Sequence, residues 1–209
     1  MWPGYSMPLP KQNQSNKTLL KPKPILQMET TINPKHLLSL LLFFSMAFSM
    51  SWAQGDEIIV IDSEYSQKAS VLENLPKNAA VIEVKHSENP WKTLHQYLQG
   101  NTKVQTIHLF ANTSYNALQL GGIVYDSEMV NQEFELSMLE GVYQGTNIQL
   151  LLYECNLGSN ADGLALIKKI SDKSYFNIAT STNCTSVFDS NFSFDHKTMN
   201  QPISSSIFK

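Results

Sequence analysis

The stretch VQTIHLFANTSYNALQLGGIVY, residues 104 to 125, joins two kinds of chain. Its first seven residues, VQTIHLF (104 to 110), are apolar and β-branched and read as a strand. Residues 117 to 125, ALQLGGIVY, place Gly121-Gly122 between two short apolar runs, which reads as a hairpin inserted after that strand. The flanks settle the fold class. EIIVID (57 to 62) and AVIEVK (80 to 85) come before, IQLLLY (148 to 153) and FNIAT (176 to 180) come after, and segments of helical period lie between them. Tyr65, Ala69, Leu72 and Leu75 repeat at that period, as do Trp91, Leu94 and Leu98, then Val130, Phe134 and Met138. A further helix, from about Ala161 to Ser171, has Asn160 placed to cap it, Asp162 in its first turn and Lys168 and Lys169 near its end, complementing the helix dipole.

Strands and helices taking turns are the mark of a parallel sheet. The expectation is α/β: a single three-layer domain with a mostly parallel sheet of about five strands, in the flavodoxin-like order 2-1-3-4-5, with the inserted hairpin. Phe192 and Phe194 at period two, then Pro202 and ISSSIF, predict a second hairpin at the C-terminus.

Of the 209 residues, all fifteen basic ones are lysine and two are cysteine. Without arginine the chain lacks the planar fork that reads phosphate and guanine edges, so nucleic acid is not an expected partner. Two cysteines exclude a disulfide framework and a four-cysteine zinc module. No HExxH, CxxC or comparable spacing points to a metal, and no cofactor motif is present. The run LLSLLLFFSMAFSM (37 to 50), after Lys35 and His36 and before Ser51-Trp52-Ala53, has the pattern of a signal peptide over residues 35 to 53, cut before Gln54. Fourteen helical residues rise only about 21 Å, short of a bilayer core, so no permanent membrane anchor is expected after cleavage. Residues 1 to 34 read as a non-native lead-in, with Met28 as an alternative start, or as a disordered arm. The domain then spans 54 to 209, with ten lysines against seventeen acidic residues, and its net charge of −7 further disfavours anionic surfaces. Export to the periplasm or outside the cell is the expected localisation.

In a parallel sheet the carboxyl ends of the strands share one edge, where sites collect. That edge receives Asp62 and Ser63, His86, Ala111 and Asn112, Glu154, Cys155 and Asn156, and residues 181 to 184. The binding candidates are Asp62, His86, Asn112, Glu154 and Asn156. Cys155 has three readings: a packed core residue, a nucleophile, or half of a disulfide with Cys184, which follows the neighbouring strand. That bond would close 28 intervening residues and contribute about 3 kcal/mol on the chain-entropy model. His108 lies inside its strand, about 13 Å from the edge at 3.3 Å per residue. His86 stands three strands from Cys155. His95 and His196 read as packed or solvated imidazoles, and Glu128, Glu133, Glu135 and Glu140 as a solvated helix face.

The residues DS after the first strand, IHLFANTSYNALQLGG (107 to 122) and LLLYECN (150 to 156) resemble the bacterial domain of unknown function 4347. Members typically show I-H-I-V-S-H-G-S, then A-L-Q-L-G, then L-L-Y-G-C-N, and the resemblance runs from about Glu57 to the tail. The family occurs as an N-terminal module of large exported proteins with cadherin-like or calcium-binding repeats. Its His-Gly and Cys are similar to the dyad of caspase-like cysteine peptidases, which implies a caspase-like order of strands. This chain has Ala111-Asn112-Thr113 in place of S-H-G, so Cys155 carries over and the histidine does not. An amide cannot act as general base, and Glu154, where the family has glycine, sets a negative charge beside the thiol. The resemblance therefore implies an exported, non-catalytic module for recognition or cell-envelope assembly, its partner an unidentified protein or envelope ligand. A cysteine hydrolase using Cys155 and a Cys155/Cys184 redox pair are the alternatives.

Overall fold

The computed structural model describes residues 56 to 208, so the expected signal peptide and the segment before it lie outside the described residues. Along the chain, β1 (Glu57–Asp62) leads into α1 (Lys68–Asn74), β2 (Ala80–Val84), α2 (Pro90–Gly100) and β3 (Thr106–Phe110). Three short strands follow, β4 (Asn112–Thr113), β5 (Leu118–Leu120) and β6 (Ile123–Tyr125), then α3 (Ser127–Gln132) and α4 (Phe134–Tyr143). The remainder is β7 (Gln149–Tyr153), a 3₁₀ turn (Leu157–Ser159), α5 (Ala161–Ser174), β8 (Asn177–Thr180) and β9 (His196–Lys197).

The main sheet has the order β2-β1-β3-β7-β8-β9, with all pairs parallel except β8–β9. Its five parallel strands are the five expected, in the expected order. The path from β1 steps outward to β2, then reverses to β3 and continues to β7 and β8. Because parallel crossovers are right-handed, that reversal puts α1 on one face and the later helices on the other. Alternation along each strand feeds the two faces separately. Ile58, Val60, Ile107, Leu109, Leu150 and Leu152 pack under α2, α3, α4 and α5. Ile59, Ile61, Phe110, Leu151 and Tyr153 pack under α1 and the C-terminal segment.

The hairpin β5–β6 forms as expected and is extended by β4 into a second, antiparallel sheet. The C-terminal hairpin does not form. Only β9 pairs, with β8, while Phe192 stacks on Tyr153 and Phe194 meets it edge-on, with ring centroids 5.6 and 5.1 Å away. One short helix cannot cover the second face, and the aromatic tail supplies the missing apolar layer. Two helical stripes also differ from the spacing read in the sequence. In α1, Val71 faces the core while Leu72 is 42% exposed. The backbone turns extended at Glu133 (φ −71°, ψ 106°), which resets the helical phase between α3 and α4. Val130 is therefore buried, Phe134 and Met138 are exposed, and Leu136, Leu139 and Tyr143 face the core. Glu133 is not on a solvated face. It is 6% exposed, and its carboxylate accepts from Asn89 Nδ2, the Tyr125 hydroxyl and the Glu135 N–H.

The expected α2 and α5 are present with their caps. Asn89 Oδ1 accepts from the Trp91 and Lys92 N–H groups ahead of α2, and Trp91, Leu94 and Leu98 are buried beneath it. Asn160 Oδ1 accepts from the Gly163 N–H, and α5 runs one turn beyond Ser171 to Ser174, where Lys173 meets the last turn.

Candidate functional site at the carboxyl edge

The reversal of strand order at β1 opens a crevice beyond the carboxyl ends of β1, β3 and β7, the usual place for a site in this topology. There the chain forms a cleft of about 230 Å³ whose wall includes Ser66, Asn112, Thr113, Cys155, Asn156 and Ser186. A larger cavity, about 620 Å³, lies at the opposite end of the sheet, around Leu98, Val104, Val142 and Ile148. It holds none of the residues that carry chemistry in the sequence.

Each expected edge residue has a definite structural partner. Asp62 is buried, with Oδ2 accepting from the Gly121 N–H at 2.5 Å and Oδ1 from the Glu64 N–H at 2.6 Å. It ties the tip of the β5–β6 hairpin to the end of β1. Gly121 has φ +66°, and a Cβ there would stand 2.4 Å from Glu88 O, so both backbone shape and space require glycine. His86 is exposed and pairs with Glu64, Nδ1 to Oε1 3.1 Å, far along the sheet edge from Cys155, with β1 and β3 between their strands. Asn112 reaches across to the loop after β1, where its Oδ1 accepts from the Ser66 N–H at 3.2 Å and its Nδ2 donates to Glu64 O at 2.9 Å. Asn156 Nδ2 donates to Thr113 O and Oγ1, each at 3.1 Å, joining the β7 end to β4.

Glu154 organises the turn after β7. Its side chain is buried and accepts from the N–H groups of Asn156 and Leu157 at 2.6 Å each and of Gly158 at 2.9 Å, and from Thr180 Oγ1 at 2.6 Å. Three successive N–H groups converging on one carboxylate form a concave nest with an anion supplied by the chain itself. Cys155 is joined to Cys184 in a disulfide, with Cα atoms 5.2 Å apart. The bond fastens the segment after β8 to the end of β7, and Thr185 and Ser186 follow it into the cleft wall. Burial pushes the phenols of Tyr65 and Tyr153, which also border the cleft, up to about 12, so both stay neutral. With Glu154 saturated, the cleft presents mainly neutral hydroxyls and amides.

The edge thus brings together Asn112, Glu154, Cys155, Asn156 and Cys184, while Asp62 and His86 serve the hairpin side. Ser66, Thr113, Thr180 and Ser186 were missed in the sequence. Thr113 directly follows the Asn112 position and could have been found there, whereas Ser66 and Ser186 sit in loops with no pattern of their own. Among the described residues no group of three or more His, Cys, Asp and Glu side chains is arranged to hold a metal. No helix among them is long and apolar enough to cross a membrane.

This is an α/β domain with a topological switch point and a disulfide across its carboxyl edge. A family model described as a domain of unknown function, DUF4347, matches residues 58–200, and the chain belongs to that family. No curated protein and no solved structure matches it.

Proposed function

We propose that the chain is an exported, non-catalytic recognition module that binds an envelope or protein ligand at the carboxyl-edge cleft. The observation that carries this reading is the Cys155–Cys184 disulfide. A sulfur shared in that bond is not a thiolate and has no nucleophilic lone pair to offer a carbonyl. Asn112, in place of the family's histidine, is occupied in holding the loop after β1 and has no titratable proton to exchange. The disulfide also supports an oxidising compartment, as the signal-like run predicts.

Cys155 lines the cleft, and this favours one second reading: a hydrolase that becomes active when the bond is reduced. One assay separates the two. Incubation with a mixed peptide library, with and without a dithiol reductant, is expected to give no turnover in either arm. Turnover that appears on reduction and disappears in Cys155→Ala would establish the hydrolase. Export is tested by sequencing the first residues of the protein recovered from outside the cytoplasm, with Gln54 expected first.

A further inference from the structure

Of the described residues that line the carboxyl-edge cleft, only Glu154 is charged. Its carboxylate is taken up by the N–H groups of Asn156, Leu157 and Gly158 and by Thr180 Oγ1. Glu64 and Lys68, on either side of wall residues 65 to 67, pair with His86 and Glu83. An ionic ligand would therefore leave water for a cleft that offers it no counter-charge.

The groups that the wall leaves open are uncharged. Ser66 and Thr185 are exposed, and their hydroxyls make no hydrogen bond to another described residue. Asn156 donates through Nδ2 to Thr113, which leaves its Oδ1 as an acceptor. Gln67 Oε1 accepts from the Tyr65 hydroxyl at 3.3 Å, which leaves its amide N–H groups as donors. Ser186 Oγ accepts from the Phe188 N–H at 3.2 Å and keeps its own proton to donate. Hydroxyls that both donate and accept, beside one amide acceptor and one amide donor, suit a ligand built of adjacent hydroxyls. We infer that the cleft binds one uncharged pyranose ring of a glycan, held by Ser66, Gln67, Asn156, Thr185 and Ser186. This inference rests on the reading of the cleft as a recognition site and names its ligand class.

The shape of the cleft disfavours other neutral ligands. Its volume of about 230 Å³ falls below the roughly 300 to 1,000 Å³ of sites for drug-sized molecules, so a single ring is the unit it takes. The Tyr153 ring is wholly buried and Tyr65 is 9% exposed, so neither opens a face on which a base could stack. An extended peptide would add to the outer edge of β4. There Thr113 O already accepts from Asn156 Nδ2, and Tyr115 O accepts from Asn160 Nδ2 at 3.0 Å. Half-buried Cys155 gives the wall an apolar patch for the C–H face of a sugar.

The test is a titration of the purified, disulfide-intact chain with the methyl glycosides of glucose, galactose, mannose and N-acetylglucosamine, followed by proton–nitrogen NMR. The anomeric methyl stands in for the rest of a glycan. At least one glycoside is expected to move the side-chain amides of Asn112 and Asn156 and the backbone amides of Thr185 and Ser186 saturably, with the millimolar affinity of a single ring. Glucuronate and glucosamine should give no comparable response. Ser66→Ala/Thr185→Ala, at two exposed positions with no hydroxyl bond to lose within the fold, should weaken binding about tenfold, as for two lost hydrogen bonds. The inference is overturned by no saturable response to any of the glycosides, by an equal response to the charged sugars, or by unchanged affinity in the double variant. Capped trialanine separates this failure from failure of the cleft itself. Saturable peptide shifts at the same amides, with the sugars silent, would overturn the sugar and leave the recognition site standing, whereas silence toward both would overturn the inference and count against the cleft as well.

Discussion

Replacing Glu154 by alanine should be among the most damaging single changes at the carboxyl edge. The carboxylate is 3% exposed and receives three backbone N–H groups and two hydroxyls, Thr180 Oγ1 at 2.6 Å and Thr113 Oγ1 at 3.5 Å. Thr180 has a fallback, since its Oγ1 also lies 3.4 Å from Leu152 O. The N–H groups of Leu157 and Gly158 have none in the surrounding buried chain, while that of Asn156 borders the cleft and can be hydrated. At about 1 to 3 kcal/mol for each buried donor left unmade, Glu154→Ala should cost about 3 to 5 kcal/mol. With a urea m-value on the order of 2 kcal/mol/M, the unfolding midpoint falls by about 2 M at constant m. Glu154→Gln keeps one acceptor oxygen but turns an NH₂ toward the nest, and should lose about half as much. Equilibrium urea unfolding followed by circular dichroism reads both variants. A Glu154→Ala midpoint within about 0.5 M of the parent would refute the reasoning, because the turn would then be held by something other than this carboxylate.

The remaining predictions concern other parts of the fold. Gly121→Ala forces a Cβ to 2.4 Å from Glu88 O at φ +66° and should destabilise by about 2 to 4 kcal/mol, whereas Gly141→Ala, in α4 with open space around it, should stabilise by about 0.5 to 1 kcal/mol. Paired thermal melts decide whether the two signs are opposite. Removing the disulfide in a Cys155→Ser/Cys184→Ser double variant should cost about 3 kcal/mol for a separation of 29 residues, and limited proteolysis should then cut between 181 and 195 first. For His108, burial lowers the folded pKa below the unfolded value of 6.5. The unfolded chain therefore binds the proton first, so this group's contribution to stability is unchanged above about pH 6.5 and falls as pH drops below it. Urea midpoints taken between pH 7.5 and 5 should decline less steeply in His108→Gln than in the parent.

The sheet was legible because its five strands are short β-branched runs set between helical segments, and the order 2-1-3-4-5 was expected from the flavodoxin-like, doubly-wound pattern. α2 was legible through the stripe Trp91, Leu94 and Leu98, and α5 through Asn160, whose side chain caps its first turn. The stripe Val130, Phe134, Met138 misled because one extended residue, Glu133, breaks the period, and a local kink leaves no trace in apolar spacing. Phe192 and Phe194 at period two resembled a strand, yet their rings pack against each other and against Tyr153, Phe192 stacked on it and Phe194 edge-on. The position of Cys184 after the strand beside that of Cys155 put their pairing among three open readings of Cys155, and the sulfur–sulfur bond selects it. Glu154 was read as a charge next to a thiol. Its true setting depends on three N–H groups that point inward only once the turn has formed, a feature of backbone direction that residue identity does not encode. His108 was placed correctly inside its strand, but its partners, Tyr153 and Glu57, come from two other strands.

The central claim is that Cys155 is a structural sulfur. Intact mass of the purified protein under non-reducing conditions, before and after treatment with a thiol-alkylating reagent, tests it most directly. The account predicts a chain two hydrogens lighter than its reduced form that takes up no label. A free Cys155 that alkylates rapidly at neutral pH would contradict the account and return the carboxyl edge to catalysis.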